Sequence, residues 1–408
     1  MFGGVVDLVT EMARGRSWAW IMAFALAGMP AFVLRFSGVH LEPTVAALIF
    51  GIGIVGGAFL LSWAAEVAQL DVSASFAIAV LALIALLPEY TIEAVLAWQA
   101  GASFDPATGE VTREMQRVAA NVTGANRLLI GVGWSLVILT FWMKRRRALD
   151  LRGHMSLEII MLAGATLVTF LIFFMGQVHI IVAAVLIALY IFYLWVSSTR
   201  EPEEPELMGA ALVIGSLPTR QRRTAVALLF LYSAAVILVA AEPFVESLIE
   251  TGEELGIDEF LLIQWIAPLA SESPEIIVAV LFSLRANPVA GMTTLVSAGV
   301  NQLTVLIGSM VVIFSMSAGQ PLSFLLDKRQ SVEFFLTSAL SGFAIVLIAP
   351  RLLGWKAGLV ILGLFVMHLF FVEPDQRRIF AFIYLGLAAG LAALDWRRVR
   401  HIFSGVAG

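Results

Sequence analysis

Apolar positions along this chain neither alternate nor form narrow stripes; they come in long runs. Stretches near the roughly 20 residues that an α-helix needs to cross hydrocarbon recur near 17–36, 43–65, 72–98, 117–143, 156–176 and 178–197. A second series lies near 223–241, 259–284, 288–316, 331–349, 354–371 and 377–394. Between the two series sits the polar stretch Arg200 to Arg222, with the run Glu-Pro-Glu-Glu-Pro-Glu. It reads as a solvated linker between two halves. The pattern predicts an all-α membrane protein of about 12 transmembrane helices.

Composition agrees. Of the 408 residues 60% are hydrophobic and 13% charged, too few charges for a soluble domain of this size to cover its surface. The lipid bilayer is therefore the expected environment. A net charge of -5 points to neither nucleic acid nor an acidic substrate. With no cysteine, disulfides, thiolate metal sites and cysteine catalysis are excluded. Residues 1–16 carry Asp7, Glu11, Arg14 and Arg16 and no small-residue cleavage site, so the first span is expected to act as its own insertion signal.

Orientation follows from Lys and Arg. Seventeen fall on one side of the spans, among them Lys144 to Arg147, Arg222, Arg223, Arg397 and Arg398. Seven fall on the other: Arg35, Arg113, Arg117, Lys328, Arg329, Arg377 and Arg378. The bias predicts a multi-pass protein of the cell membrane with both termini and the linker in the cytoplasm. The stretch 242–258, with six acidic residues and no Lys or Arg, reads as an external loop.

The halves repeat. Leu70-Asp71 precedes Pro88-Glu89 much as Ile257-Asp258 precedes Pro274-Glu275, and each Pro-Glu is followed by an asparagine in the next span, Asn126 or Asn301. The gaps from glutamate to asparagine are 37 and 26 residues, and the difference fits the polar insert Phe104 to Glu110. Spans two to six thus repeat as seven to eleven. Five is odd, so the second copy is inverted, with one extra helix at each end. Inverted repeats with interrupted helices in matching places point to a transport site near mid-bilayer. The division is 1–42 extra helix, 43–198 first repeat, 199–222 linker, 223–372 second repeat and 373–408 extra helix and tail.

Pro88, Pro274 and Pro268 are read as helix breaks, since each removes the partner of the carbonyl four residues earlier: Ile84, Ala270 and Gln264. A freed carbonyl beside a carboxylate, Glu89 or Glu275, makes an oxygen-rich place for Na⁺, Ca²⁺ or a proton. Glu272 and Ser271 lie three and four residues before Glu275, on its helix face, and Glu93 one turn beyond Glu89. Ser297, Asn301 and Thr304 form a polar stripe, with Thr123 and Asn126 as its counterpart. Thr123, Ser297 and Thr304 read equally well as glue between helices. Glu93 reads as a pore-lining acid or as a partner of Arg127. Glycines 51, 53, 56 and 57 read as close-packing positions.

These segments resemble the sodium/calcium exchanger family of calcium:cation antiporters. Leu87-Pro88-Glu89 with Asn121-Val-Thr-Gly-Ala-Asn126 is similar to that family's first repeat motif, and Ser271-Glu-Ser-Pro-Glu275 with Gly299-Val-Asn301 to its second. The resemblance covers mainly 43–143 and 223–316. It implies cation exchange by alternating access, with Glu89 and Glu275 holding the ions. This sequence departs from the pattern at Ala85 and Leu86, where small hydroxyl residues are expected, and at Glu272, Ala125, Val300 and Leu129. Arg127 occupies a normally apolar position, where it would act as a tethered cation replacing one bound ion.

The leading expectation is a secondary antiporter exchanging Ca²⁺ or Na⁺ for Na⁺ or H⁺, with inorganic cations as cargo and no cofactor. Two rivals stand beside it: a transport-inactive homologue with a sensing or assembly role, and an intramembrane enzyme using paired carboxylates as acid and base.

Overall fold

The computed structural model describes residues 2–71, 86–152, 154–199, 207, 209–285 and 287–394, with side chains described at 15 and from 17 onward. Ile84, Ala85, the linker's acidic run and the C-terminal arginines lie outside the described residues. The elements are helices: α1 Phe2–Ser37, α2 Pro43–Ala68, α3 Leu87–Ser103, α4 Arg113–Arg145, α5 Ser156–Met175 and α6 Ile180–Ser198. Then come a short α7 Ala210–Gly215, α8 Thr219–Leu255, α9 Glu259–Leu284, α10 Pro288–Ser317, α11 Lys328–Ile348, α12 Trp355–Leu369 and α13 Pro374–Leu394. Ten of these are long and apolar enough to cross a membrane. With the shorter apolar α12, they follow eleven of the twelve expected spans; much of the third, residues 72–85, lies outside the described residues.

The chain forms two compact units, Met1–Ile92 with Leu194–Ile257, and Glu93–Tyr193 with Asp258–Gly408. Each takes part of both sequence repeats.

In the first unit α2 packs between α1 and α8. Gly56 allows the close approach to α1, since a Cβ there would lie 2.7 Å from the Phe24 carbonyl. Phe24, Phe59 and Trp63 stack beside it, the two Phe rings 4.4 Å apart. Just past α2, Asp71 accepts from Arg222 Nε and Nη2 in the first turn of α8, at 2.7 and 2.8 Å. The external loop expected over 242–258 is instead helix: α8 runs 37 residues, about 55 Å, to a left-handed Gly256. Its acids Glu242, Glu246 and Glu250 recur every four residues, so one polar helix face continues where the apolar run stops. Glu242 pairs with Arg35 of α1 at 2.6 Å.

In the second unit α4, α9, α10 and α11 form the core. Two short β pairs tie the connections together: Leu149–Asp150 with Leu352–Leu353, and Gln177–Val178 with Phe324–Leu325. Shifting residue numbers by 175 converts one pair into the other, Leu149↔Leu353 becoming Phe324↔Val178. The same 175 separates Asn126 from Asn301. α4 and α10 also share a local defect, a π-helical turn just past the asparagine, at Leu129–Trp134 and at Gln302–Leu306. The inverted repeat is therefore visible in backbone pairing as well as in side chains.

Candidate functional site

In the first unit Pro88 occupies the first turn of α3, where its missing N–H leaves no helical bond unmade. The helix begins there, with Tyr90 N–H donating to the Leu86 carbonyl at 3.1 Å. Glu89 follows in that same turn and is buried, 4% exposed. The helix dipole favours a negative charge at that end.

In the second unit the expected breaks at Pro268 and Pro274 are absent. α9 is one helix from Glu259 to Leu284 and contains both prolines. Local partners make this affordable. Ser273 Oγ donates to the Ala270 carbonyl freed by Pro274, at 3.5 Å, and Ser271 Oγ reaches the Ala267 and Pro268 carbonyls at 3.4 and 3.3 Å. The Gln264 carbonyl freed by Pro268 faces α4, where only a glycine fits: a Cβ on Gly124 would stand 1.9 Å from that oxygen. The Cα–H of Gly124 is the contact left to it.

α9 then presents Ser271 and Glu272, both buried, and Glu275, whose Oε2 is buried without a hydrogen-bond partner among the described residues. The π turn of α4 lies against this segment, a Cβ at Gly133 falling 3.4 Å from Ile276 and 3.2 Å from Leu295 of α10. One turn earlier Asn126 accepts from Ser341 Oγ at 2.9 Å. Its Nδ2, unpartnered among the described residues, points towards α10, 3.9 Å from a Cβ placed on Gly299. The structure therefore brings Asn126 beside the Gly299–Asn301 segment, and both beside acid-bearing α9.

Other expected ligands are engaged locally. Thr304 Oγ1 donates to the Val300 carbonyl at 2.5 Å and Thr123 Oγ1 to Ala119 at 2.6 Å. Ser297 receives the Tyr193 hydroxyl of α6 at 3.0 Å. The Ser297 bond joins two helices, whereas the two threonine hydroxyls bond within their own. Among the described residues no group of three or more His, Cys, Asp and Glu could hold a metal ion. Coordination of a cation would draw on amide and carbonyl oxygens as well as carboxylates.

Arg127 is not free to play a tethered ion. Its Nη2 pairs with Glu333 of α11 at 2.6 Å, its Nε donates to the Thr123 carbonyl at 3.1 Å, and its guanidinium lies 5.2 Å from the Trp265 ring. Nor does it pair with Glu93, which contacts Ser309 instead. Glu333 also binds Arg377 of α13 and accepts from Gln264 Nε2 at 3.0 Å, while Arg377 Nη1 donates to Gln264 Oε1 at 3.0 Å. Arg127, Glu333 and Arg377 are all fully buried. This network joins α4, α9, α11 and α13. Arg377, grouped with the outer charges by sequence, is corrected to an interior residue, because a paired guanidinium can be buried where a lone one cannot. Glu333 was missed altogether. The signal was present: Glu333 stands 175 residues after Glu158, the same offset as the asparagines, and both glutamates are buried.

The profile of the sodium/calcium exchanger protein family matches residues 43–199 and 225–372. The chain belongs to that family. It is a multi-pass membrane transporter, not an enzyme, and its cargo is inorganic cations. A crystal structure of the H⁺/Ca²⁺ exchanger CAX is similar over 97% of this chain and 98% of that one, with 37% identity and a TM-score of 0.90. The fold is shared with native YfkE, at 15% identity, 90% and 99% coverage and TM-score 0.63. It is shared also with the sodium-calcium exchanger NCX_Mj, at 14% identity, 81% and 99% coverage and TM-score 0.54. No curated protein sequence matches.

Proposed function

We propose that this exchanger carries Ca²⁺ across the cell membrane against H⁺ by alternating access, with both termini in the cytoplasm. Glu89 and Glu275 each contribute a carboxylate to the cation, and Asn126, Asn301, Ser271 and Glu272 complete its surroundings. The observation that carries this reading is the meeting of Asn126 with the Gly299–Asn301 segment between mirrored π turns, next to Glu275 on α9. π turns release backbone carbonyls and gather at functional sites, and a buried carboxyl oxygen with no hydrogen-bond partner among the described residues, Glu275 Oε2, is a place for a visiting cation. Similarity over the whole chain to an H⁺/Ca²⁺ exchanger supports the choice of ions.

The test is flux in proteoliposomes under imposed pH or Na⁺ gradients, following Ca²⁺, Na⁺ and H⁺ separately. Glu89→Gln and Glu275→Gln should each abolish exchange while the protein still folds. Near-normal flux in either variant would refute the assignment. A transport-inactive homologue would show no flux and no Ca²⁺-dependent thermal stabilisation.

A further inference from the structure

Glu93 is fully buried in the membrane-spanning part of α3, and its contacts differ from those of every acid considered above. Its two carboxyl oxygens lie 3.2 and 3.5 Å from Ser309 Oγ of α10. Ser309 Oγ also lies 3.0 Å from the Leu306 carbonyl, the last residue of the π turn that follows Asn301. A serine hydroxyl has one proton to give. Donated to Leu306 over the shorter distance, it leaves Ser309 as an acceptor, and the bond to Glu93 is then made by a proton on the carboxyl.

The surroundings agree. α10 has no Asp, Glu, Lys, Arg or His along its whole length. α6, which meets α10 where a Cβ on Gly308 would lie 3.0 Å from the Ala183 carbonyl, offers only Tyr190 and Tyr193. On α3 itself the titratable groups are Glu89, one turn away, and Tyr90. Among these helices no cation faces Glu93, and the buried guanidinium of Arg127 is committed to Glu333. An ionised carboxylate deep in such a place is costly, while a protonated one hydrogen-bonded to a serine is not.

We propose that Glu93 is a proton-carrying carboxyl of the exchange cycle, separate from the residues that hold the cation and linked through Ser309 and Leu306 to the π turn beyond Asn301. This rests on the H⁺-coupled reading above. One proton binds the Glu93 carboxylate from water on one side of the membrane and leaves to water on the other, with no other bond made or broken. Gln302, which opens the π turn, is fully buried with neither side-chain amide atom partnered among the described residues, so the turn has hydrogen-bonding capacity in reserve.

The experiment measures Ca²⁺ flux against pH, and protons moved per Ca²⁺, in proteoliposomes of wild type, Glu93→Gln, Glu93→Asp and Ser309→Ala. Gln has the shape of the protonated acid and can donate to Ser309. Glu93→Gln should therefore keep Ca²⁺-dependent thermal stabilisation but move one proton fewer per Ca²⁺ and flatten the pH profile, and Glu93→Asp should restore pH dependence. Ser309→Ala should move the profile's midpoint by about half to one pH unit towards acid, since the proton on Glu93 loses its acceptor. Should Glu93→Gln fail to fold, the Ser309→Ala profile decides. An unchanged proton count and profile in Glu93→Gln, or an unmoved or alkaline-shifted midpoint in Ser309→Ala, overturns the inference while leaving the antiporter reading intact. Absence of Ca²⁺ flux in wild type overturns the antiporter reading first.

Discussion

Removing the charge of Glu333 tests whether the buried network holds the second unit together. In the native network two guanidiniums share one carboxylate, for a formal charge of +1 in an environment closed to water. Glu333→Gln keeps the shape and an amide near Gln264 but raises that charge to +2. Breaking a buried pair by deleting one partner costs about 3–5 kcal/mol, because the other charge is left uncompensated. Here two charges are left and they repel, so the upper end, about 5 kcal/mol, applies. At roughly 2 °C per kcal/mol for a chain this large, the melting temperature should fall by about 10 °C. Arg377→Gln should do far less harm, since Arg127 and Glu333 then form a neutral pair. The double variant Glu333→Gln with Arg377→Gln removes one of the stranded charges and should regain part of the loss, a coupling that a double-mutant cycle reads directly. Thermal unfolding in detergent, followed by tryptophan fluorescence, is a sufficient assay. A Glu333→Gln protein melting within about 2 °C of wild type, or a double variant less stable than Glu333→Gln, would refute the electrostatic reasoning.

Two further predictions follow from packing and from charge at the membrane edge. Gly124→Ala places a methyl 1.9 Å from the Gln264 carbonyl, which forces α4 from α9 at a cost of about 1–3 kcal/mol or more and should depress exchange at least tenfold. Gly299→Ala, whose nearest neighbour would be 3.6 Å away, should change the melting temperature little; equal losses in the two variants would count against the contact. The Arg222 side-chain hydrogen bond, with Arg223 assisting, holds the Asp71 carboxyl down to about 2 from its ordinary 3.8. A depressed acid stabilises the fold fully above its ordinary value, and the contribution drains away as pH falls from about 4 towards 2. Asp71→Asn should accordingly cost about 1 kcal/mol at neutral pH, since water still reaches the pair, and should remove that part of the acid sensitivity; unchanged acid unfolding would exclude the latch.

How far the sequence showed all this depends on which physical rule each feature obeys. Hydrocarbon thickness is a property of the solvent, so the spans were legible from apolar run length alone. The same rule cannot see a helix that continues past its apolar run, which is why 242–255 reads as loop although Glu242, Glu246 and Glu250 keep helical spacing. Proline was over-read for a related reason. A missing N–H frees one carbonyl, but whether the helix stops depends on a third group. At Pro274 that group is Ser273; at Pro268 it is Gly124, on another helix and 144 residues earlier in the chain. The repeat itself was found through Asn126 and Asn301, and following their offset further would have reached Glu158 and Glu333. Glu333's partners stay invisible to that method, because Arg127 aligns with Gln302 and symmetry offers it no mate. Inverted symmetry thus marks what both halves need for their shared task, and the unmated buried charges mark where one half is specialised. Glu93 belongs to this second group, its counterpart after Glu275 being Ala279. An acid that only one repeat carries cannot serve both halves of a symmetric site alike. On the proposed reading, the asymmetry would give the exchanger one place to bind a proton without displacing the cation from paired ligands.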